Sequence, residues 1–264
     1  MNNLRLIPKI GLFDVRLFLL SGMLGWQDVR QAYRRSALGP FWITAGMAVQ
    51  IATMGLVFGI IFKTPLQEYL PFLATSIILW GLMASVITDG CMSFITAESI
   101  IKQLHLPMYV HIVRTMWKQL IIFGHNLVIL PLVFIAFWHS LSWEIILFIP
   151  GLILVFVNLG WIAFLLAMLS ARFRDIPQVI SSVMTILYFM SPVMWQPSLI
   201  PSGTAHLLLG LNPMYHLLQV MRLPILGQLP TLENWTLPVI FAIVGWFGVA
   251  LAMGKYRKQI AYWV

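Results

Sequence analysis

The stretch Tyr33-Arg34-Arg35-Ser36-Ala37-Leu38-Gly39-Pro40-Phe41-Trp42 decides how the chain is read, because a basic segment ends there and an uncharged one begins. Upstream, Arg30, Arg34 and Arg35 share one side of a helical projection with Gln27 and Gln31, while Trp26, Val29 and Tyr33 recur on the other. That division predicts a helix lying in a membrane surface. Downstream, Gly39 to Phe62 runs 24 residues without a formal charge. At the helical rise this is about 36 Å, enough to cross a hydrocarbon layer of roughly 30 Å.

The rest of the chain repeats the pattern. Further uncharged runs are Tyr69 to Thr88, Gln119 to Trp143, Ile145 to Ala171, Ile176 to Met221 and Asn234 to Gly254. The run from Ile176 is too long for one span. Ser191-Pro192, Gln196-Pro197 and Pro201-Ser202-Gly203 break it, which ends a span near Trp195. The remainder of that run is apolar but interrupted by Asn212-Pro213, Arg222 and Pro224. It reads as short helices dipping into one membrane face, or as a hairpin lying on it.

Composition excludes an ordinary soluble domain. Of 264 residues, 60% are hydrophobic and only 9% charged, against about a quarter charged in soluble proteins. The single cysteine, Cys91, excludes an intrachain disulfide and a cysteine-cluster metal site, and reads as a packing residue. The net charge of +8 is spread over short loops instead of one groove, so nucleic acid is not expected as a partner. Leu17 to Gly25 is too short, and too poorly followed by small residues, for a cleaved signal core.

The expected fold is therefore all-α: a polytopic membrane protein of six spans and a single transmembrane domain. An interface helix occupies 1–38, the spans 39–254 with a re-entrant segment at about 198–228, and a tail 255–264. Placing the N-terminus, the 89–118 loop, the 172–175 loop and the C-terminus on one side gathers 14 of the 16 Lys and Arg residues. By the positive-inside rule both termini are cytoplasmic.

Several chemistries lack their residues. There is no Gly-x-x-x-x-Gly-Lys-Ser/Thr phosphate loop, no paired-carboxylate or Ser/His/Asp arrangement, and no histidine pair at metal-ligand spacing. No catalytic residue, metal or cofactor is expected in this chain. Asp89, at the end of the second span, reads as a cap or an interface partner and less readily as a proton carrier.

Four signals remain beside these absences. The first is the Tyr33–Trp42 junction. In the second, Thr96 to Pro107, Thr96 or Ser99 can cap a short amphipathic helix that Pro107 stops. The third is the turn Ser170-Ala171-Arg172-Phe173-Arg174-Asp175-Ile176-Pro177, in which Asp175 can cap the next helix and pair with Arg172 or Arg174. The fourth is Leu211-Asn212-Pro213-Met214-Tyr215-His216 with Arg222 and Gly227 beyond it.

Taken together, the Tyr-Arg-Arg-Ser-x-Leu-Gly-x-x-Trp junction, the Lys102 segment with Pro107, Arg-Phe-Arg-Asp-Ile at 172–176, and Asn-Pro followed by Arg222 and Gly227 resemble the type-2 permeases of ABC exporters. Among these the chain is most similar to the Wzm-like permeases of O-antigen and capsular polysaccharide export. It departs from them in having no second basic residue after Lys102. The resemblance implies a homodimer in the bacterial inner membrane, two separate ABC ATPase subunits that hold ATP and magnesium, and a lipid-linked polysaccharide as substrate. It further implies that Glu98, Ser99, Lys102, Pro107, Arg30, Arg34, Arg35, Arg172, Arg174 and Asp175 couple to the ATPases. Asn212, Pro213, Tyr215 and Arg222 would belong to an outer gate, and spans 1 and 5 would line a channel. The residues agree on the last point: Phe58, Phe62, Tyr188, Phe189 and Trp195 give flat apolar faces on which sugar rings can stack. Trp80, Trp161 and Trp246 are expected to be packing residues. An exporter of teichoic acid, lipid or drugs, or a membrane enzyme of glycan assembly, are the alternatives.

Overall fold

The computed structural model describes residues 15–34, 36, 39, 41–104, 106–138, 140–197 and 209–264, apart from the side chains of 258 and 261. Arg35, Pro40, His105 and the 198–208 part of the expected re-entrant segment lie outside the described residues. Every regular element described is helical: α1 (Val15–Ala32), α2 (Phe41–Phe62), α3 (Leu66–Thr96), α4 (Glu98–Gln103), α5 (Tyr109–Leu127), α6 (Ile129–Ala136), a 3-10 turn (Trp143–Leu147), α7 (Phe148–Arg172), α8 (Ile176–Met190), α9 (Pro213–Ile225) and α10 (Leu232–Trp263).

Helix α3 is the hub. It is apolar around most of its circumference, with Leu73, Ala74, Leu79, Met83, Val86 and Phe94 fully buried, and it packs on α2, α5, α7, α8 and α9. A helix that is hydrophobic all round has to be surrounded by others. Helix α1 lies along α5, and α10 along α7. Small residues set the closest crossings. A Cβ on Gly90 would stand 2.7 Å from the Ala163 Cβ, and one on Gly151 2.6 Å from the Val220 carbonyl oxygen, so α3 touches α7 and α7 touches α9 almost backbone to backbone.

Five helical stretches are long and apolar enough to cross a membrane: Phe41–Phe62, Leu66–Thr96, Tyr109–Ala136, Trp143–Arg172 and Leu232–Arg257. The expected fifth span differs. Helix α8 has 15 residues, about 22 Å at the helical rise, and ends at Met190 instead of near Trp195. Pro192 is the reason: the residue before a proline avoids the helical region, and Ser191 is extended at φ −88°, ψ 145°.

Other boundaries move because charges inside helices are paired. Asp89 lies within α3, and Arg114 and Lys118 within α5, so the expected 89–118 loop shrinks to a connection around α4. Helix α10 continues through the expected tail as far as Trp263. On α1 the buried face is Leu17, Ser21, Gly25 and Val29, one residue every turn. Of the apolar side expected to meet the membrane, Val29 is instead packed in the bundle and Trp26 is 54% exposed; Arg30, Gln27 and Gln31 are exposed too.

The close crossing at Gly151 and the open space at Gly124 predict opposite outcomes for adding a side chain. Gly151→Val should lower the thermal stability of the detergent-purified protein by about 1 to 3 kcal/mol, the usual cost of overpacking. Gly124→Ala, where nothing lies within 4 Å of the added carbon, should leave it unchanged or higher. Thermal unfolding followed by tryptophan fluorescence compares the two.

Candidate functional site

Three surfaces hold the residues singled out in the sequence. The first is the end of the bundle where α3, α7 and α10 terminate. Helix α4 starts directly after α3, with Ala97 at its N-cap and no side-chain cap bond; the Thr96 hydroxyl instead donates to the Met92 carbonyl of α3. Neither Thr96 nor Ser99 caps α4, because Thr96 is the last residue of α3 and Ala97 holds the N-cap position. Pro107 does not stop α4 either. The helix ends at Gln103, and the Pro107 carbonyl accepts from the Val110 amide at the start of α5. Ile101 is buried, while Ser99 and Lys102 are exposed. Lys102 Nζ bonds Glu98 Oε1 at 2.6 Å. The Lys102 ammonium, and after it the charge of Arg174, hold the Glu98 carboxyl below its usual range.

Arg172, Arg174 and Asp175 face the same end, all three exposed. The Arg172 guanidinium stands over the Phe173 ring at 5.1 Å and the Trp263 ring at 5.4 Å, and Arg174 Nη2 donates to the Val264 oxygen at 3.2 Å. Asp175 occupies the N-cap position of α8 in a helical conformation, and its carboxylate neither caps the helix nor pairs with Arg172 or Arg174. Those arginines are turned toward the end of α10 instead. Glu98, Lys102, Arg172 and Arg174 are therefore brought to one face. Arg30 and Arg34 are exposed on α1 and just beyond it.

The second surface is made by α2 and α8. Only Thr44, Ile51, Gly55 and Gly59 of α2 are buried, and only Met184 of α8. Val49, Leu56, Ile60 and Ile61 of α2, and Val179, Ile186 and Phe189 of α8, are exposed. The aromatics expected here are unevenly placed. Phe58 and Phe62 are half-buried and stacked 5.6 Å apart, and Phe62 meets the Tyr69 ring edge-on. Tyr188 packs on Trp80 and Phe189, and Trp195 Nε1 donates to the Phe189 carbonyl. Trp80 is a buried packing residue, but Trp246 is 41% exposed.

The third surface lies at the opposite end, where α9 is tied into the bundle. Arg222 is 1% exposed. Its Nε and Nη2 donate to Gln219 Oε1, and its Nη1 donates to Ser76 Oγ at 3.0 Å and to the Pro192 carbonyl. The guanidinium stands 4.6 Å over the Phe72 ring. Asn212 caps α9 by accepting from the Met214 amide, and its Nδ2 donates to Ser191 Oγ at 2.8 Å. The Tyr69 hydroxyl donates to the Met194 carbonyl at 2.6 Å. The turn after α8 is thus held from α3 and α9 together. Tyr215 joins by accepting from Gln219 Nε2, while Pro213 is exposed at the start of α9.

Sequence reasoning allowed for an interface partner at Asp89 but missed which residues it meets, and missed the Asp28–Arg114 pair altogether. Arg114 donates in two parallel bonds to Asp28, at 2.7 and 2.6 Å, and clamps α1 to α5. Lys118 and Gln119 both donate to Asp89 Oδ2 and join α5 to α3. The signal was available: acids and bases interrupting apolar helices need partners. Among the described residues no three His, Cys, Asp or Glu side chains gather as metal ligands would.

Packed apolar helices of spanning length, with charges held in pairs and α2, α8 and α10 left largely uncovered, define a multi-pass membrane protein. The chain belongs to the ABC-2 type transporter family, whose model matches residues 21–226. Membership implies an ABC ATPase as its partner. Its relatives include the O-antigen export system permease protein RfbA of Myxococcus xanthus, 22% identical over 78% of this chain and 79% of that protein. Two proteins of the same description from Klebsiella pneumoniae are 23% and 25% identical, each over 70% of this chain and 72% of theirs.

Arg222→Met should lower stability by about 2 to 5 kcal/mol, because Gln219, Ser76 and Pro192 would keep buried acceptors without a donor, each costing about 1 to 3 kcal/mol. Arg222→Lys should recover part of the loss. Thermal unfolding in detergent reads both, and a wild-type midpoint for Arg222→Met would refute the assigned role.

Proposed function

We propose that two copies of this chain form the conduit through which a lipid-linked O-antigen or capsular polysaccharide leaves the cytoplasm across a bacterial inner membrane, driven by two separate ATPase subunits. The observation that carries this is the bareness of α2 and α8. Helices that expose Leu56, Ile60, Ile186 and Phe189 need either lipid or a second copy against them; α10 is about as bare, but α2 and α8 carry the ring pairs Phe58–Phe62 and Tyr188–Phe189. In this reading the copies meet along these helices, and Phe58, Phe62, Tyr188, Phe189 and Trp195 line the gap. Flat apolar rings stack on sugars without demanding charge, so a neutral polymer slides without deep minima.

The membrane is crossed six times, the sixth crossing being α8 completed by the turn after it. Both termini then face the cytoplasm, as the distribution of basic residues requires. Helix α1 lies in the cytoplasmic interface, and α9 dips into the outer face, where Asn212, Pro213, Tyr215 and Arg222 fix the rim of the exit. ATP and magnesium sit in the partner subunits. Glu98, Ser99, Lys102 and Pro107 around α4, the turn at Arg172, Arg174 and Asp175, and Arg30, Arg34 and Arg35 form the docking face. A push on α4 passes into α3 directly, and a push on α1 reaches α5 through Asp28 and Arg114. To drive export, the ATPase has to favour one arrangement of these helices over another.

Deleting the gene tests the reading. Full-length lipid-linked polymer should accumulate inside the cell and be missing from its surface. Absence of polymer everywhere would place the chain in synthesis, and normal surface polymer would assign it another cargo. Arg174→Ala or Pro107→Ala should leave ATP hydrolysis by the complex running while export falls about tenfold, a coupling loss near 1.4 kcal/mol. Unaltered export in both variants would overturn the coupling assignment.

A further inference from the structure

Between α1, α3 and α5 lies a cavity of about 540 Å³ that the conduit does not use. Asp28, Asp89, Arg114 and Lys118 stand in its walls, so the cavity holds two acids and two bases in an otherwise apolar bundle. Their mutual bonds do not exhaust them. Arg114 uses Nε and Nη2 on Asp28, which leaves Nη1; Lys118 spends one of three N–H groups on Asp89; and both bonds to Asp89 fall on Oδ2, which leaves Oδ1. The side chains of these four residues are 23 to 37% exposed, so their spare valences are open to a ligand. His111 also lines the wall, but its ring packs edge-on against Phe94 and both its nitrogens are buried, so it offers the cavity no hydrogen bond.

The spare groups describe a ligand. Two cationic donors side by side, Arg114 Nη1 and the Lys118 ammonium, suit a phosphate. The spare carboxylate oxygen of Asp89 suits an ammonium. The four wall charges sum to zero, which favours a zwitterion over an anion. The cavity sits at the end of the bundle where α3 terminates and α5 begins, beside the amphipathic α1, where the headgroups of a bilayer would lie. We propose that this cavity binds the headgroup of an amine-bearing phospholipid, with its phosphate on Arg114 and Lys118 and its ammonium on Asp89. Such a lipid would cement α1 to the bundle. The site is independent of the polymer path.

The test is native mass spectrometry of the full chain purified in detergent, titrated separately with dioleoyl phosphatidylethanolamine, dioleoyl phosphatidylglycerol and inorganic phosphate. Phosphatidylethanolamine should stay bound at concentrations about tenfold below those phosphatidylglycerol needs; Asp89→Asn should erase that preference, and Lys118→Met should weaken retention of both lipids. Asp89→Asn keeps an oxygen for Lys118 and Gln119, and the elution profile in size exclusion checks that both variants fold. Equal retention of the two lipids by the unaltered chain, or a preference untouched by Asp89→Asn, would overturn the proposal. So would free phosphate displacing the lipid adduct, since the site would then be one for a soluble anion.

Discussion

A cation buried without an acid is the constraint that the far end of this molecule is arranged around. Arg222 has lost its water, and among the described residues no carboxylate faces it; its charge is met by the Gln219 oxygen, the Ser76 hydroxyl, the Pro192 carbonyl and the face of Phe72. Such a group tolerates no loose geometry, because any displaced acceptor leaves a charge unsolvated in a low-dielectric interior. Three segments distant in sequence, the first half of α3, the turn after α8 and helix α9, are therefore held to one another. That fixes where α8 ends, and so the face it leaves uncovered.

The opposite end is built on different physics. There the charges are paired and part-exposed: Glu98 with Lys102, Asp28 with Arg114, Asp89 with Lys118. Exposed pairs of the first kind contribute little to stability, so α4 is a short helix held mainly by buried Ile101 and by its continuity with α3. A weakly held element joined end to end with the most buried of the membrane-length helices is suited to transmit a push. The Asp28–Arg114 fork is a firmer joint, bidentate and only about a quarter exposed on each side.

Much of this fold is legible in the sequence. Uncharged runs mark the spans of α2 and α7 to within a few residues, because those helices face an apolar surround along their whole length. The departures share one cause. Asp89, Arg114 and Lys118 look like loop residues, yet they sit inside helices, since pairing removes the penalty that unpaired charges would carry. Asp175 and Thr96 are capping residues by type alone. The side chain of Thr96 turns back onto its own helix, and Asp175 is already helical, so neither is available for capping. The end of α8 is written into Ser191-Pro192, but the apolar residues beyond it disguise the stop. Arg222 stands out as an odd charge in an apolar stretch, whereas its partner Ser76 on α3 lies 146 residues away and no local pattern announces it.

The conduit exists only if α2 and α8 of two copies face each other. With Cys91 replaced by Ser, Phe189→Cys on α8 should cross-link into a dimer in native membranes with a short bis-maleimide, while Ile153→Cys, exposed on α7, should not. Dimers from Ile153→Cys and none from Phe189→Cys would mean that α8 faces lipid and that the conduit lies elsewhere.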